Sequence, residues 1–238
     1  SGLAQSDVIA AAVKGTGPFK AKGKQSHVRV IASLFSEEMH LVVRAKANIK
    51  TVSDLRGKRV SLGLPESGSG FTAREILTAY RVPESRLKLV PLDTPGAIAL
   101  MKEGKLDAFF AVGGVPIQGV GDLLTSRVAT LLPITGPVRD RLAKREPSLE
   151  LATITYPGQD PVPTVSTRAL WIVRDSVPDN LVYGITRALF NSANRNALSA
   201  SHPSAREIGL NTAALMPPAA LHPGAARFYA EAARAAQR

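Results

Sequence analysis

The 238-residue chain has no cysteine, so it can form neither a disulfide framework nor a thiolate metal site, and its compartment stays open. It has no apolar run of about 18 residues and no basic-then-apolar leader after Ser1, so the chain as it stands is expected neither to span a membrane nor to carry a signal peptide. Aromatic residues are few, at 5%. Acidic residues are outnumbered, 19 against 30 Lys and Arg, which gives a net charge of +11. That excess is spread out: residues 1–52 carry 8 basic and 3 acidic side chains, 53–150 carry 14 and 11, and 151–238 carry 8 and 5. Only Lys20, Lys22 and Lys24 cluster, and no nucleic-acid signature accompanies them, so no nucleic-acid partner is expected. The field instead favours anionic ligands or an anionic membrane surface.

Catalytic sets are equally scarce. The four histidines, His27, His40, His202 and His222, show no H-x-x-x-H spacing, so no metal site is expected, and His222 before Pro223-Gly224 reads as a cap or packing residue. A nucleophile elbow fails because Ser67 stands where G-x-S-x-G needs glycine. Carboxylates sit on helix faces beside basic residues, as from Arg139 to Glu146, and no acid/base pair stands out.

What is present is a chain that is 45% hydrophobic, with 19 Gly and 17 Pro, enough for a well-buried α/β core in one large domain or two lobes. Ser6 to Val13 reads as a helix, and VRVIASLF from Val28 and HLVVR from His40 as two strands. From Ile49 strands alternate with helices: KRVSLGL then FTAREILTAY, LKLVPL then GAIALMKEG, LDAFFAV then VPIQGVGDLLTS, RVATLLPI then VRDRLAKRE. Such alternation predicts a mostly parallel sheet with right-handed crossovers. At Leu149 the rhythm changes to ELATITYPGQDPVPT, a buried strand STRALWIVR, and then helices, the last starting at Pro223.

Two turns carry the chemistry. In GLPESGSGFTAREIL, Ser67, Ser69 and Thr72 are candidate caps, Thr72 and Glu75 have capping-box spacing, and a helix is expected to begin between Ser69 and Thr72. Its free amides would face an anion, Gly68 and Gly70 would admit a ligand to the backbone, and the three hydroxyls would add donors, which suits a small carboxylate. A P-loop is excluded because Ser69-Gly70, not Lys-Ser/Thr, follows Gly68. Gly68, Gly70 and Ala73 do fit G-x-G-x-x-A with Asp93 as a ribose acid, which keeps an NAD-dependent oxidoreductase as the alternative. Against it, Leu64-Pro-Glu-Ser delays the turn and Glu66 would face the pyrophosphate. The other turn, LDAFFAVGGVPIQGV, ends an apolar strand at Gly113-Gly114 and predicts a helix from near Pro116. Both turns also fit plain strand-to-helix connections in which Ser and Gly only cap and pack.

Together the stretches AQSDVIAAAVKGTGPF, MHLVVRAKANIKTVSDLRGKRVSLGLPESGSG, KEGKLDAFFAVGGVP and LHPGAARFYAE resemble the TAXI family of TRAP-transporter solute-binding proteins, in family order and over nearly the whole chain. The resemblance implies a two-lobed α/β fold of the periplasmic-binding-protein type II-like kind, with a mostly parallel sheet in each lobe and a two-strand hinge. Residues 1–52 would begin lobe I, 53–150 would form lobe II, and 151–238 would return to lobe I with the C-terminal helices. It implies no enzymatic activity and no cofactor. It places a ligand carboxylate at Ser67, Gly68, Ser69, Gly70, Phe71 and Thr72. More of the pocket would lie at Gly113, Gly114, Val115 and Pro116, and Gln5, Ser6 and Asp7 would line the cleft from lobe I. The implied partners are a small organic anion, such as a glutamate-like amino acid or a dicarboxylate, and a TRAP-type membrane permease. The implied location is periplasmic or extracytoplasmic, with any membrane anchor in a segment outside this chain. Family members begin with a signal peptide and several tens of residues of lobe I, whereas this chain starts at SGLAQSDV. The expectation is therefore a chain without that N-terminal portion, short of part of the pocket, and with apolar edges suited to a homodimer.

Overall fold

The structure is a computed structural model that describes residues 1–214 and 217–237. In chain order the first elements are β1 (Gly2–Gln5), α1 (Ser6–Lys14), β2 (Val28–Arg44), β3 (Arg59–Ser61), α2 (Gly68–Ala79), β4 (Lys88–Leu89) and α3 (Thr94–Lys102). They are followed by β5 (Ala108–Gly113), α4 (Val120–Thr125), β6 (Ala129–Leu131), α5 (Gly136–Arg145), β7 (Glu150–Ile154) and β8 (Val162–Arg174). The C-terminal helices are α6 (Asp179–Leu189), α7 (Ser192–Ser201), α8 (Leu210–Ala213) and α9 (Pro223–Ala236). No helix among the described residues is long and apolar enough to cross a membrane.

The chain forms two compact units, one of residues 1–36 and 168–238, the other of residues 37–167. The two passages between them fall inside the long strands β2 and β8. VRVIASLF and HLVVR, expected as separate strands, are the two ends of β2. The Ser36-Glu37-Glu38 run between them is polar and half-buried, and it reads as an interruption only because it is polar.

In the first unit, β1 pairs antiparallel with the second half of β8, from Gly2 opposite Ile172 to Gln5 opposite Ala169. Helix α1 runs one residue past the expected Val13, to Lys14. Gly15 adopts φ 68° and donates to the carbonyls of Ala11 and Ala12, a left-handed C-cap that a Cβ would disturb because it would lie 3.0 Å from the Lys24 nitrogen. His222 is fully buried and caps α9. Its Nδ1 accepts from the Gly224 N–H at 3.2 Å and its Nε2 donates to the Val177 carbonyl at 3.0 Å, as the sequence reading of a cap requires.

In the second unit, β3 pairs in parallel with both β4 and β5, joined through α2 and α3. Three further pairings in this unit are antiparallel: β2 with β5, β2 with β6, and β7 with β8. The parallel pattern therefore holds where helices connect successive short strands, and the long strands run against it. Consecutive residues feed opposite faces. Val43, Val60 and Phe110 join Ile76 and Leu77 of α2 in one apolar cluster. Val42 and Phe109 join Ile98 and Met101 of α3 and Leu123 of α4 in the other. Both faces of this sheet are thus covered, which explains why LDAFFAV carries no polar alternation. At the start of β5, the Asp107 carboxylate takes Arg59 Nε and Nη2 at 3.0 and 2.8 Å and Arg44 Nη2 at 2.8 Å, which clamps three strands together.

Candidate functional site

The first turn follows β3. Gly63 has φ 104°, and a Cβ there would lie 2.5 Å from Ser67 Oγ, so this position needs glycine. Ser67 is the N-cap of α2. Its Oγ accepts from the Gly70 amide at 3.1 Å and donates to the Leu64 carbonyl at 2.8 Å. The helix therefore begins at Gly68, one residue before the expected window. Thr72 is no cap: it lies buried inside α2, and its hydroxyl donates to the Gly68 carbonyl at 3.2 Å. Glu75 likewise leaves the expected capping box and pairs with Arg145 at 3.3 Å.

Two of the three expected hydroxyl donors are thus used within the turn. Ser69 differs, because its Oγ accepts from the Val112 amide of β5 at 3.0 Å, and its own O–H is left to donate. Gly70 serves packing more than ligand approach: a Cβ would lie 3.2 Å from the Leu64 oxygen and 2.9 Å from Arg74 Nη1. The amides of Gly68 and Ser69 take part in no bond among the described residues, and they lie at the positive end of a twelve-residue helix. Phe71, half-buried, donates its amide to the Ser67 carbonyl at 3.1 Å. Asp93, the residue a dinucleotide site would use on the ribose, caps α3 by accepting from the Gly96 amide at 2.9 Å.

The Ser69–Val112 bond joins this turn to the second one. Gly113 ends β5, a Cβ on it would meet the Ile117 side chain at 3.3 Å, and the Val115–Pro116 peptide is cis. Helix α4 does not start near Pro116 but at Val120, after Gly119 at φ 81°. Pro116 lies in the loop, whose course is set instead from Tyr156 on the chain 39 residues further along: Ile117 donates its amide to the Tyr156 hydroxyl at 2.8 Å. That hydroxyl in turn donates to His40 Nε2 at 3.2 Å, while His40 Nδ1 donates to the Glu38 carbonyl at 2.9 Å. Burial lowers the His40 pKa to about 4, against the smaller raising effect of its backbone bonds, so the neutral ring has the right proton for this chain. Burial likewise raises the Tyr156 pKa to about 12.

Gln5, Ser6 and Asp7 belong to the other unit. Gln5 ends β1 with its Oε1 buried and without a hydrogen-bond partner among the described residues. Ser6 Oγ accepts from the Arg168 amide at 3.1 Å, and Asp7 Oδ1 accepts from the Val8 amide at 2.8 Å. Arg168, which the sequence reading passed over, donates through Nε to Ser33 Oγ at 2.8 Å. Its Nη2 is buried, with Glu207 Oε2 at 3.9 Å as its carboxylate neighbour. A cation directly before the apolar run Ala169 to Val173 was the available signal.

Among solved structures the chain is similar to a protein of Bordetella bronchiseptica RB50, with 15% identity over 94% of this chain and 63% of that one and a TM-score of 0.52. It is also similar to MatC from Rhodopseudomonas palustris with bound malate, with 17% identity over 83% of this chain and 67% of that one and a TM-score of 0.50. A third likeness is to the periplasmic aliphatic sulphonate binding protein SsuA from Escherichia coli, with 16% identity over 84% and 56% and a TM-score of 0.49. The chain spans between 56% and 65% of the length of the first of the solved structures it matches. The class that fold and likeness define is the open-sheet α/β architecture of periplasmic binding proteins of type II. The model of the NMT1-like family matches residues 1–232, and the chain belongs to that family.

Proposed function

We propose that this chain is a non-enzymatic, extracytoplasmic solute-binding protein of the TAXI subfamily, which captures a small carboxylate and delivers it to a TRAP-type permease. The observation that carries the reading is the first turn of the 37–167 unit. There a Ser67-capped helix has the amides of Gly68 and Ser69 without a bond among the described residues and the Ser69 hydroxyl proton left to donate, and the Val112 bond fixes Ser69 in place. Such donors recognise a carboxylate without reading what lies beyond it, which suits glutamate-like amino acids and dicarboxylates alike. MatC, the fold neighbour with bound malate, lends support of the same kind. The second turn, Gly113 to Pro116, is the proposed neighbour of the anion in the same unit; Gln5, Ser6 and Asp7, in the other unit, stand as proposed ligand-binding residues of that unit.

The test is a thermal-shift panel of amino acids, dicarboxylates and keto acids on this chain, with Ser69→Asp as control. Ligand at a hundredfold its Kd adds about 2.7 kcal/mol to the native state, a shift that is easily read. One compound class should raise Tm in the wild type and leave Ser69→Asp, with its like charge at the anion position, unmoved. A folded wild type that answers to none of the compounds, or a Ser69→Asp variant that answers equally, would sink the reading.

A further inference from the structure

At the other end of β3 from the Ser67 turn lies a groove of about 680 Å³, lined by Arg56, Ser85, Arg86, Leu87 and Lys88 among others, with three cations and no acid in its wall. It is a built feature. Arg56 is fixed by donating Nη1 to the Ser53 carbonyl at 3.0 Å and Nη2 to the Arg81 carbonyl at 2.8 Å, while the Gly57 amide ties to the Arg86 carbonyl at 2.6 Å. The nearest acids have other duties. Glu84 pairs with Arg74 at 3.0 Å, and Asp54 accepts from the Lys50 and Thr51 amides at 3.0 and 2.8 Å.

The groove adjoins the edge of the sheet. Strand β4 is the last in the strand order and, among the described residues, pairs only with β3, through the amides of Lys88 and Val90. Because backbone groups alternate sides along a strand, the N–H and C=O of Leu89 face away from β3. No bond to them occurs among the described residues, and Leu89 is 43% exposed.

From this conjunction we infer that the β4 edge and its cationic groove dock an extended acidic segment of a partner protein. The segment adds a strand through Leu89 and sets carboxylates against Arg86, Lys88 and Arg56. Both halves of the observation are needed. Carboxylates two residues apart on a strand lie about 7 Å from one another on the same side, a spacing that a groove of this size can hold, and the open N–H and C=O supply the register. A flat lipid surface uses the charges but not the edge. Small phosphate uses neither the edge nor the length of the groove.

The absence of native cysteine makes Ser85→Cys a unique position for an environment-sensitive fluorophore. The labelled protein is titrated with an alternating Glu–Val octapeptide, with inorganic phosphate, and with phosphatidylglycerol vesicles. The peptide is expected to bind saturably, Arg86→Glu/Lys88→Glu to weaken it about tenfold or more, and Leu89→Pro, which keeps every charge but removes the edge N–H, to weaken it as well. Circular dichroism checks that each variant is folded. Equal response to phosphate, preference for vesicles, or a peptide affinity indifferent to both variants would each overturn the inference. It does not rest on the proposed ligand at the Ser67 turn, so a carboxylate thermal shift preserved in Arg86→Glu/Lys88→Glu separates the two.

Discussion

The two strand-to-helix turns of the 37–167 unit look alike in the sequence and are built by different means. The turn at Gly63 to Thr72 is closed largely by its own residues: Ser67 satisfies Leu64 and Gly70, while Gly63 donates to the neighbouring Ser61 hydroxyl and Ser69 reaches across to Val112. The turn at Gly113 to Gly119 is tied locally where the Val120 amide donates to the Ile117 carbonyl at 3.2 Å, and it also takes a long-range tie. Its Ile117 amide is held by Tyr156, just beyond β7, and Tyr156 by His40 of β2, both distant in the sequence. The first turn should therefore survive changes elsewhere in the fold, while the second should fail when a buried side chain at a distance is altered.

The largest effect expected from this contrast is one of pH. The folded-state pKa of His40, about 4, lies below its ordinary value of 6.5, so between those values the unfolded chain binds more protons. The contribution is whole above pH 6.5, declines as pH falls toward 4, and levels off below. It amounts to about 3 kcal/mol. Urea denaturation across that range should show the loss in the wild type and not in His40→Asn. A wild type with the same profile as His40→Asn would mean that the ring is solvated.

Next in size is Tyr156→Phe, which leaves the Ile117 amide and His40 Nε2 without their shared partner. A cost of about 2 kcal/mol is expected, with faster amide exchange at Ile117 and none at Gly70. Equal acceleration at both amides would erase the distinction between the turns.

Ser67→Ala removes one cap and should cost about 1 kcal/mol by chemical denaturation, while leaving the Ile117 amide protected. Smallest of all, Glu75→Gln should change stability by less than about 0.5 kcal/mol, since the residue pairs with Arg145 at the surface and forms no capping box. A loss as large as that of Ser67→Ala would restore the box.

The same contrast explains what could be read from residues alone. The alternation from KRVSLGL onward revealed the helix-linked strands, because Val60, Phe109 and Phe110 write two buried faces directly into the text. His222 was legible as a helix end, and Ser67 as one of three candidate caps, because capping acts within three residues. The start of α4 was misread at Pro116, since a proline is acceptable in a first helical turn but does not require one, and the residue that sets the loop's course is Tyr156. Thr72 and Glu75 matched a spacing already made redundant by Ser67. Arg168 went unnoticed because its partners Ser6, Ser33 and Glu207 come from three separate stretches of chain.

Strand β5 deserves a last consequence. Phe109 belongs to one core and Phe110 to the other, with Ala108 and Ala111 beside them in the same division. A residue inserted or deleted there would exchange the populations of both cores at once and displace Val112 from Ser69 in the same move. Over evolutionary time such a segment can change its letters but hardly its length, so variation in chain length among relatives should collect in the loops on either side of it.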